Sequence, residues 1–403
     1  MAMPKLRFKE FDGNWKNYKL EDISNIKTGP FGSNLHKEDY VAVGTPIITV
    51  EHLGEISLTT QNLPLVSDTD KLRLSAYSLQ EGDIAFSRVG SVDRCAIVTK
   101  QEKGWLFSGR ILRVRPNNKI VFSKHLMYAL KTEHSKHQIR SAAVGQTMPS
   151  LNTKILKEFI VCLSNSLEEQ TKIATFLSAV DTKIDELTQK HELLTDYKKG
   201  MMQQIFSQKV RFKGFSASWN DIKVGSLGTF NSGGTPSKKN SAYWKGDIPW
   251  ISSSDLTEDS IFEVMTTRYI TREAIDNSAT KIIPKNSVLI VSRVGVGKVA
   301  VNSSQLCTSQ DFTSLTPFED NPVFLAYLLK SKASRLLEFN QGTSIKGFVR
   351  DDLINFSVSI PTKEEQTKIA DFLTTIDQKI DNVAEQIDHA KTWKKGLLQQ
   401  MFV

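Results

Sequence analysis

The sequence has few of the features that mark secreted, membrane or metal-stabilised proteins. Only three of its 403 residues are cysteines, Cys95, Cys162 and Cys307, and they lie far apart. An odd number of scattered cysteines argues against a disulfide framework and against a structural zinc site. No apolar run reaches the ~18 residues of a membrane span, and the N-terminal residues contain no apolar signal core. The sequence therefore predicts a cytoplasmic chain that makes no contact with a membrane.

The composition is that of an ordinary globular protein. Hydrophobic residues make up 39% of the chain and charged residues 24%, and the length allows two sizeable cores. The formal net charge of +8 permits a polyanionic partner. Charge of this size does not by itself identify that partner.

One long segment of the sequence occurs twice. E-E-Q-T-K-I-A at 168–174 returns letter for letter at 364–370, and nearly half of the positions continue to match as far as Phe206 and Phe402. The triplet K-K-G at 198–200 and 394–396 belongs to the same match. Two copies are too few for a solenoid, so the pattern predicts a pseudo-two-fold internal duplication.

Both copies predict long helices. S-x-x-E from Ser166 and T-x-x-E from Thr362 indicate capping boxes at the two starts. Apolar positions then follow alternating steps of four and three, the 3.5-residue repeat of a coiled coil, and the seam continues to Lys198 and Lys394. The seam positions predicted to pair the helices and to form a scaffold for partners are Ile173, Leu177, Val180, Ile184 and Leu187, with Ile369, Leu373, Ile376, Ile380 and Val383. Two ordinary core helices are the alternative.

A mixed domain is predicted before each helix. L-R-F-K-E-F-D-G-N-W at 6–15 is echoed by V-R-F-K-G-F-S-A-S-W at 210–219, and S-R-V-G at 87–90 by the same letters at 292–295. Strands are predicted at 47–50, 84–86, 96–99, 111–115 and 159–163, and at 248–251, 287–291, 299–301, 312–315 and 356–360. Helices are predicted after Ser123 and from Asn321-Pro322. The predicted boundaries are 1–165, 166–208, 209–361 and 362–403.

Catalytic motifs are incomplete wherever they begin. G-V-G-K at 295–298 resembles the end of a phosphate-binding loop, but Ser292 and Val299 stand where that motif needs Gly and Ser or Thr. N-P-V-F at 321–324 differs from a methyltransferase signature at its third residue. Asp-x-Lys at 181–183 and 377–379 is half of a nuclease signature, expected here as exposed charge on the helices. The seven histidines show no metal-ligand spacing. We predict a chain with no catalytic residues and no metal site.

Two divergent domains, each followed by a helix that opens E-E-Q-x-K-I-A and ends K-K-G-x-x-Q-Q-x-F, resemble the specificity subunit of type I restriction–modification enzymes. The resemblance spans the whole chain. It implies an α+β fold of two mixed α/β target-recognition domains separated by two long antiparallel coiled-coil helices. It also implies that each domain reads one half of a bipartite double-stranded DNA target.

The resemblance implies partners as well. The chain would recruit two modification (methyltransferase) subunits and two restriction (endonuclease and translocase) subunits. S-adenosylmethionine, ATP and Mg²⁺ would then be bound by those partners, and this chain would bind no cofactor.

Segment order independently favours antiparallel helices. The first helix leaves its domain at Glu168, and the second domain begins near Val210, at the far end of that helix. Parallel helices would require the second domain to span the whole helix length, whereas antiparallel helices would not.

Residues that read bases are expected where the copies differ, because residues shared by both domains cannot distinguish two different half-sites. The candidates are Asn34, His36, Lys37, Gln146 and Thr147 in the first domain, and Lys238, Lys239, Asn240, Ser344 and Lys346 in the second. The shared Arg88 and Arg293 are predicted to support the fold or to contact phosphates.

Two other functions are compatible with the sequence. One is a stand-alone DNA-binding or architectural protein with two domains and no enzyme partners. The other is a hydrolase or methyltransferase whose motifs depart from the known patterns.

Overall fold

The computed structural model describes residues 3–30, 35–145, 148–338 and 347–403. These residues form two compact units, one of Met1–Leu187 with Gln386–Val403 and the other of Thr188–Glu385. Each unit thus contains one mixed domain, the first half of the long helix that follows it and the last half of the other long helix. The predicted boundaries follow chain order, whereas the units divide each long helix near its middle.

The first domain and its helix comprise ten strands and six α-helices within the described residues. The strands are β1 Trp15–Lys19, β2 Ser24–Thr28, β3 Tyr40–Val41, β4 Thr45–Ile48, β5 Leu65–Val66, β6 Ile84–Ser87, β7 Cys95–Ile97, β8 Leu106–Phe107, β9 Ile111–Pro116 and β10 Ile160–Ser164. The helices are α1 Leu20–Ile23, α2 Asp68–Arg73, α3 Ser123–Leu130, α4 Glu133–Ala142, α5 Thr153–Glu158 and α6 Leu167–Phe206.

The second domain repeats the plan. Its strands are β11 Asn220–Lys223, β12 Gly228–Ser232, β13 Ile248–Ile251, β14 Arg268–Ile270, β15 Ile282–Ile283, β16 Val288–Val291, β17 Val299–Val301, β18 Leu306–Thr308, β19 Phe312–Pro317 and β20 Ser357–Ile360. Its helices are α7 Arg272–Asp276, α8 Pro322–Ser331, α9 Ala333–Leu337, α10 Arg350–Asn355 and α11 Lys363–Met401.

The sheets show which parts of the two copies are common. One four-stranded sheet has the order β2-β9-β6-β7 in the first domain and β12-β19-β16-β17 in the second, antiparallel throughout. A second sheet contains a parallel pair, β4 with β8 and β13 with β18. Its edges differ, because β3 pairs with β5 in the first domain and β15 with β18 in the second. The copies therefore share a core sheet and diverge at the margin of the other sheet.

Most predicted strands lie within one or two residues of the observed ones. The strand predicted at 47–50 is shifted and spans Thr45–Ile48. The predicted helix start at Asn321 is confirmed, since its side-chain oxygen accepts hydrogen bonds from the N–H groups of Val323 and Phe324, and Pro322 occupies the first helical position. Both long helices also continue through Gly200 and Gly396.

The second glutamate of E-E-Q binds an arginine rather than completing a capping box. Ser166 Oγ does accept the N–H of Glu169, at 3.3 Å. The Glu169 carboxylate, however, accepts Arg7 Nε at 2.6 Å and Arg7 Nη2 at 2.9 Å. Arg211 Nε and Nη2 bind Glu365 in the same bidentate way, at 3.0 and 2.7 Å. Planar guanidinium groups match carboxylates in this geometry, so the buried glutamates keep their charge paired.

The glutamine of E-E-Q joins each long helix to the short helix of the domain core. Gln170 Oε1 accepts the backbone N–H of Phe122, which precedes α3, at 2.7 Å. Gln366 Oε1 likewise accepts the N–H of Asn321, which precedes α8, at 3.1 Å. The repeated letters therefore encode one set of contacts made twice.

Within each unit the two long helices run antiparallel. The N–H of Leu6 donates to the carbonyl of Gln400 near the end of α11, at 2.8 Å, and the next residue binds Glu169 near the start of α6. The end of one helix and the start of the other therefore lie on the same short segment. In the second unit Arg211, just past the end of α6, binds Glu365 near the start of α11.

Phe402, which directly follows α11, packs on the first domain. The Phe402 ring lies 6.1 Å from the Trp15 ring and 5.0 Å from the His125 ring, and all three residues are buried. Neither ring nitrogen of His125 has a hydrogen-bond partner among the residues that the structure describes, and burial lowers the pKa of His125 to about 3. The imidazole is therefore neutral in the folded protein.

The second unit places a phenylalanine where the first has this histidine. Phe324 occupies the matching position of α8, 5.9 Å from the Phe206 ring and 6.2 Å from the Trp219 ring. The site thus accepts an apolar ring, and the histidine adds polar atoms that no described neighbour satisfies.

We expect His125→Phe to make the first unit less sensitive to acid. A histidine held neutral with its pKa near 3, against ~6.5 when unfolded, destabilises the fold progressively as pH falls below ~6.5. Between pH 7 and pH 5 this amounts to ~2 kcal/mol, or ~4–8 °C in Tm. Thermal unfolding of wild type and variant at both pH values measures the difference. His137→Gln, at an exposed histidine of α4, is the control and should leave the pH dependence unchanged. Equal acid sensitivity of wild type and His125→Phe would contradict the assignment.

Candidate nucleic-acid interface

Each unit contains a buried aspartate, lysine and tyrosine at the meeting of the two long helices with the domain. In the first unit Asp181 of α6 pairs with Lys394 of α11, with 2.6 Å between Oδ1 and Nζ, and accepts the hydroxyl of Tyr128 from α3. Burial, and then the hydrogen bond to this carboxylate, raises the pKa of Tyr128 far above its usual value. The tyrosine therefore stays a hydrogen-bond donor.

The second unit repeats the triad with the helices exchanged. Asp377 of α11 pairs with Lys198 of α6 and accepts the hydroxyl of Tyr327 from α8. Each unit thus uses the aspartate of one repeat and the lysine of the other. The expectation that the Asp-x-Lys aspartates are exposed charge is wrong, because the helix seam and a domain helix together enclose them. Their lysine neighbours Lys183 and Lys379 are exposed.

Apolar seam positions surround these triads. Leu177 and Leu373 are fully enclosed, and Ile184 and Ile380 are partly buried against the domain cores. The other predicted positions are all buried, namely Ile173, Val180, Leu187, Ile369, Ile376 and Val383. Most of these residues contact a domain core as well as the helix seam, so their role in recruiting partners stays a prediction.

The two early loops start from the same anchor. A Cβ atom at Gly29 would meet the carbonyl oxygen of Ser108 at 2.0 Å, and one at Gly233 would meet that of Ser309 at the same distance. No side chain fits there, so glycine is required at both positions. The base of each loop is therefore fixed against the turn before a central strand.

Beyond the anchor, the loop of the second domain carries three exposed polar residues. Lys238 and Lys239 are exposed, and Asn240 accepts the N–H of Ala242 at 3.1 Å to begin the turn Ser241–Trp244. The structure thus places these three candidates side by side on a supported loop.

In the first domain His36 is exposed, and its N–H donates to Asp39 Oδ2 at 2.7 Å. Lys37 begins the short helix Lys37–Asp39. The remaining candidates lie outside the described residues: Asn34, Gln146, Thr147, Ser344 and Lys346.

The shared arginines differ in their surroundings. Arg88 is half-buried, and its Nη1 donates to the carbonyl of Gly109 at 3.1 Å. Arg293 is exposed, and its side chain has no hydrogen bond or ion pair with any residue that the structure describes. Both turns end in a glycine with positive φ, +80° at Gly90 and +85° at Gly295, which accounts for the shared glycine of S-R-V-G.

Comparison with known proteins decides what this arrangement is. The family model for the type I restriction modification DNA specificity domain matches residues 12–195 and again residues 217–391. This chain belongs to the type I specificity family. Its function is accordingly DNA sequence recognition within a restriction–modification system.

Similar proteins have the same two-domain length. A type I restriction enzyme specificity subunit of Methanocaldococcus jannaschii, MjaX, is 26% identical to this chain, over 96% of this chain's length and 93% of its own length. The EcoR124I/EcoR124II specificity subunit of Escherichia coli is 28% identical over 55% of this chain and 54% of its own. The crystal structure of an S subunit from M. genitalium covers 100% of this chain and 99% of its own, with a TM-score of 0.64 at 16% identity. The α+β fold with two mixed domains and two long antiparallel helices is therefore that of the family.

Within the described residues, no helix is long and apolar enough to cross a membrane, and no group of three His, Cys, Asp or Glu side chains could hold a metal ion.

The triads and the arginine–glutamate pairs were not predicted from the sequence. Their signal was present, because Arg7, Tyr128 and Asp181 each have an identical residue in the other copy.

We predict strong coupling between Asp181 and Lys394. Lys394→Met alone leaves a buried carboxylate unpaired, which costs ~3–5 kcal/mol. Lys394→Met with Asp181→Leu should recover most of that loss, because Tyr128 keeps Ser178 Oγ as a partner at 3.3 Å. Urea unfolding of the single and double variants measures the coupling.

The exposed pair Lys183–Glu186 on the same helix, 3.8 Å apart, is the matched control. Its coupling should not exceed ~0.5 kcal/mol. Additive effects at Asp181 and Lys394 would show that the two charges do not depend on each other.

We predict that Arg293→Ala weakens binding to matched and unmatched DNA alike. A phosphate contact contributes ~0.9 to the slope of log affinity against log salt, so the slope should fall by that amount. Arg88→Ala should also lower the free energy of unfolding, by ~1 kcal/mol, because it removes the bond to Gly109. Fluorescence anisotropy over a salt series measures affinity. Loss of discrimination at a single base pair would instead identify direct base readout by the arginine.

Proposed function

We propose that each domain reads one half of a bipartite double-stranded DNA target and that the chain itself carries no catalytic residues. The observation that carries this proposal is the pair of early loops, which share a glycine anchor and differ beyond it. A common anchor gives both loops the same support. Different residues on that support allow two different half-sites to be read.

The base contacts are assigned to residues that the copies do not share. Lys238, Lys239 and Asn240 have side chains suited to purine edges in the major groove, and they are exposed on one loop. His36 and Lys37 occupy the corresponding region of the first domain. The same assignment extends to Asn34, Gln146 and Thr147 in the first domain and to Ser344 and Lys346 in the second.

The phosphate contacts are assigned to shared basic residues. Arg293 suits this role because it is exposed and its guanidinium is not engaged by the described residues. A contact to phosphate positions the protein on the duplex without reading sequence. Both domains can therefore use the same residue type for it.

Two modification subunits and two restriction subunits complete the proposed assembly. S-adenosylmethionine, ATP and Mg²⁺ belong to those partners in this proposal, and the chain is a scaffold. The duplicated helices support two copies of each partner subunit, since each helix presents an exposed aromatic residue at the matching position. Tyr197 of α6 is 51% exposed and Trp393 of α11 is 54% exposed. Exposed aromatic side chains are frequent anchors of protein interfaces.

Domain exchange tests the proposed division of the target. Replacing residues 20–160 with the matching segment of another family member should change one half of the target and leave the other half and its spacing. The reciprocal exchange of residues 224–357 is the matched control and should change the other half alone. Selection of binding sites from randomised DNA, with the partner subunits present, gives both targets. A change in both halves after either exchange would contradict independent reading.

A further inference from the structure

The second unit contains a cavity of about 650 Å³ that none of the assigned roles uses. It lies between the last turns of α6, the loop at Glu258 and Asp259, and the end of α8. Five lysines and these two carboxylates are the charged groups of its lining, and the lysines are Lys198, Lys199, Lys209, Lys330 and Lys332.

Two of the lysines are already engaged. Lys198 pairs with Asp377 in the buried triad, and Lys332 Nζ donates to the carbonyl of Phe206 at 3.4 Å. Once Asp377 is counted against Lys198, the two lining carboxylates leave two positive charges uncompensated. A free phosphate or phosphate monoester near neutral pH carries ~1.5–2 negative charges, which matches this excess, whereas a DNA phosphodiester carries one.

Lys330 is the residue that most needs a ligand. Its ammonium nitrogen is enclosed and has no hydrogen-bond partner among the described residues, although the residue lines the cavity. Burial, and then the charge of Lys198, lower its pKa to about 8, against the opposite effect of Asp377, Asp259 and Glu258. At pH 7 the group is therefore charged and has no partner within the described part of the chain, which is costly inside a protein.

We propose that this cavity binds a phosphate group, with Lys330 as the central ligand and Lys199 as a second one. Gln203 of α6 contributes an amide to the lining, whereas the hydroxyls of Ser207, just past α6, and Ser331, at the end of α8, donate to the carbonyls of Gln204 and Leu328. The amide N–H groups of Gln203 are hydrogen-bond donors for phosphate oxygens. Binding through Lys330 requires a rotation about the last bonds of its side chain, because its ammonium nitrogen is enclosed.

The residues that line the cavity all belong to the second unit. Lys131 stands at the matching position of the first domain, three residues after Tyr128 as Lys330 follows Tyr327. Lys131 is also buried, but it does not line this cavity. It therefore provides a matched control in the same molecule.

Calorimetric titration of the full chain with inorganic phosphate at pH 7 and constant ionic strength tests the proposal. Saturable binding is expected, at least tenfold weaker in Lys330→Met and several-fold weaker in Lys199→Met, whose position is exposed and does not affect folding. Lys131→Met should bind as wild type does. Tm in sodium phosphate against sodium chloride gives a second readout. Because phosphate stabilises proteins in general by exclusion, only the part lost in Lys330→Met counts.

Free solute and the DNA backbone are the two sources of such a phosphate, and the same variants distinguish them. If the DNA backbone supplies it, phosphate competes with DNA, and Lys330→Met lowers the salt slope of DNA binding by ~0.9. If a free solute supplies it, saturating DNA leaves phosphate binding unchanged. Either result supports the site, whatever becomes of the bipartite proposal. Absence of saturable binding to wild type, or equal binding by Lys330→Met, would overturn it.

Discussion

The structure depends on a charged pair buried where the two long helices meet. Lys394 with Asp181, and Lys198 with Asp377, lie among apolar seam residues, each with a domain tyrosine on the carboxylate. A buried ion pair adds little net stability compared with apolar packing, but an unpaired buried charge is costly. The pairs therefore act mainly on register, because a slipped helix would leave charges without partners.

The same contacts tie recognition to the scaffold. Each tyrosine belongs to the short helix that packs under a domain sheet, and each glutamine of E-E-Q holds the start of that same helix. The arginine–glutamate pairs fasten the segment that precedes each domain. A domain is thus joined to the long helices by hydrogen-bonded and charged groups of defined geometry, while its loops are free to vary in sequence.

Much of this was predictable from one sequence because the chain contains its own comparison. Helical spacing and repeated letters predicted α6 and α11, and alternating apolar residues predicted most strands. The capping-box interpretation was wrong for the glutamate side chains, because Arg7 and Arg211 are distant in sequence and compete successfully for them. The prediction that Asp181 and Asp377 are exposed was wrong. Periodicity along one helix does not reveal a third element that covers that helix.

The DNA contacts were less accessible to sequence reasoning. His36, Lys238 and Lys239 are exposed as a base-reading role requires, but exposure is common to polar loop residues. Arg88 and Arg293 occupy matching positions of S-R-V-G but differ in burial. Lys330 gave no sequence signal, because its environment is built from segments distant in the chain.

Sequencing the methylated positions in a host that expresses this chain with its modification subunit tests the central claim most directly. The account predicts methylation at one split motif, two specified segments separated by a fixed number of unspecified base pairs, and no such methylation without this chain. A continuous motif, or an unchanged pattern when the chain is omitted, would contradict it.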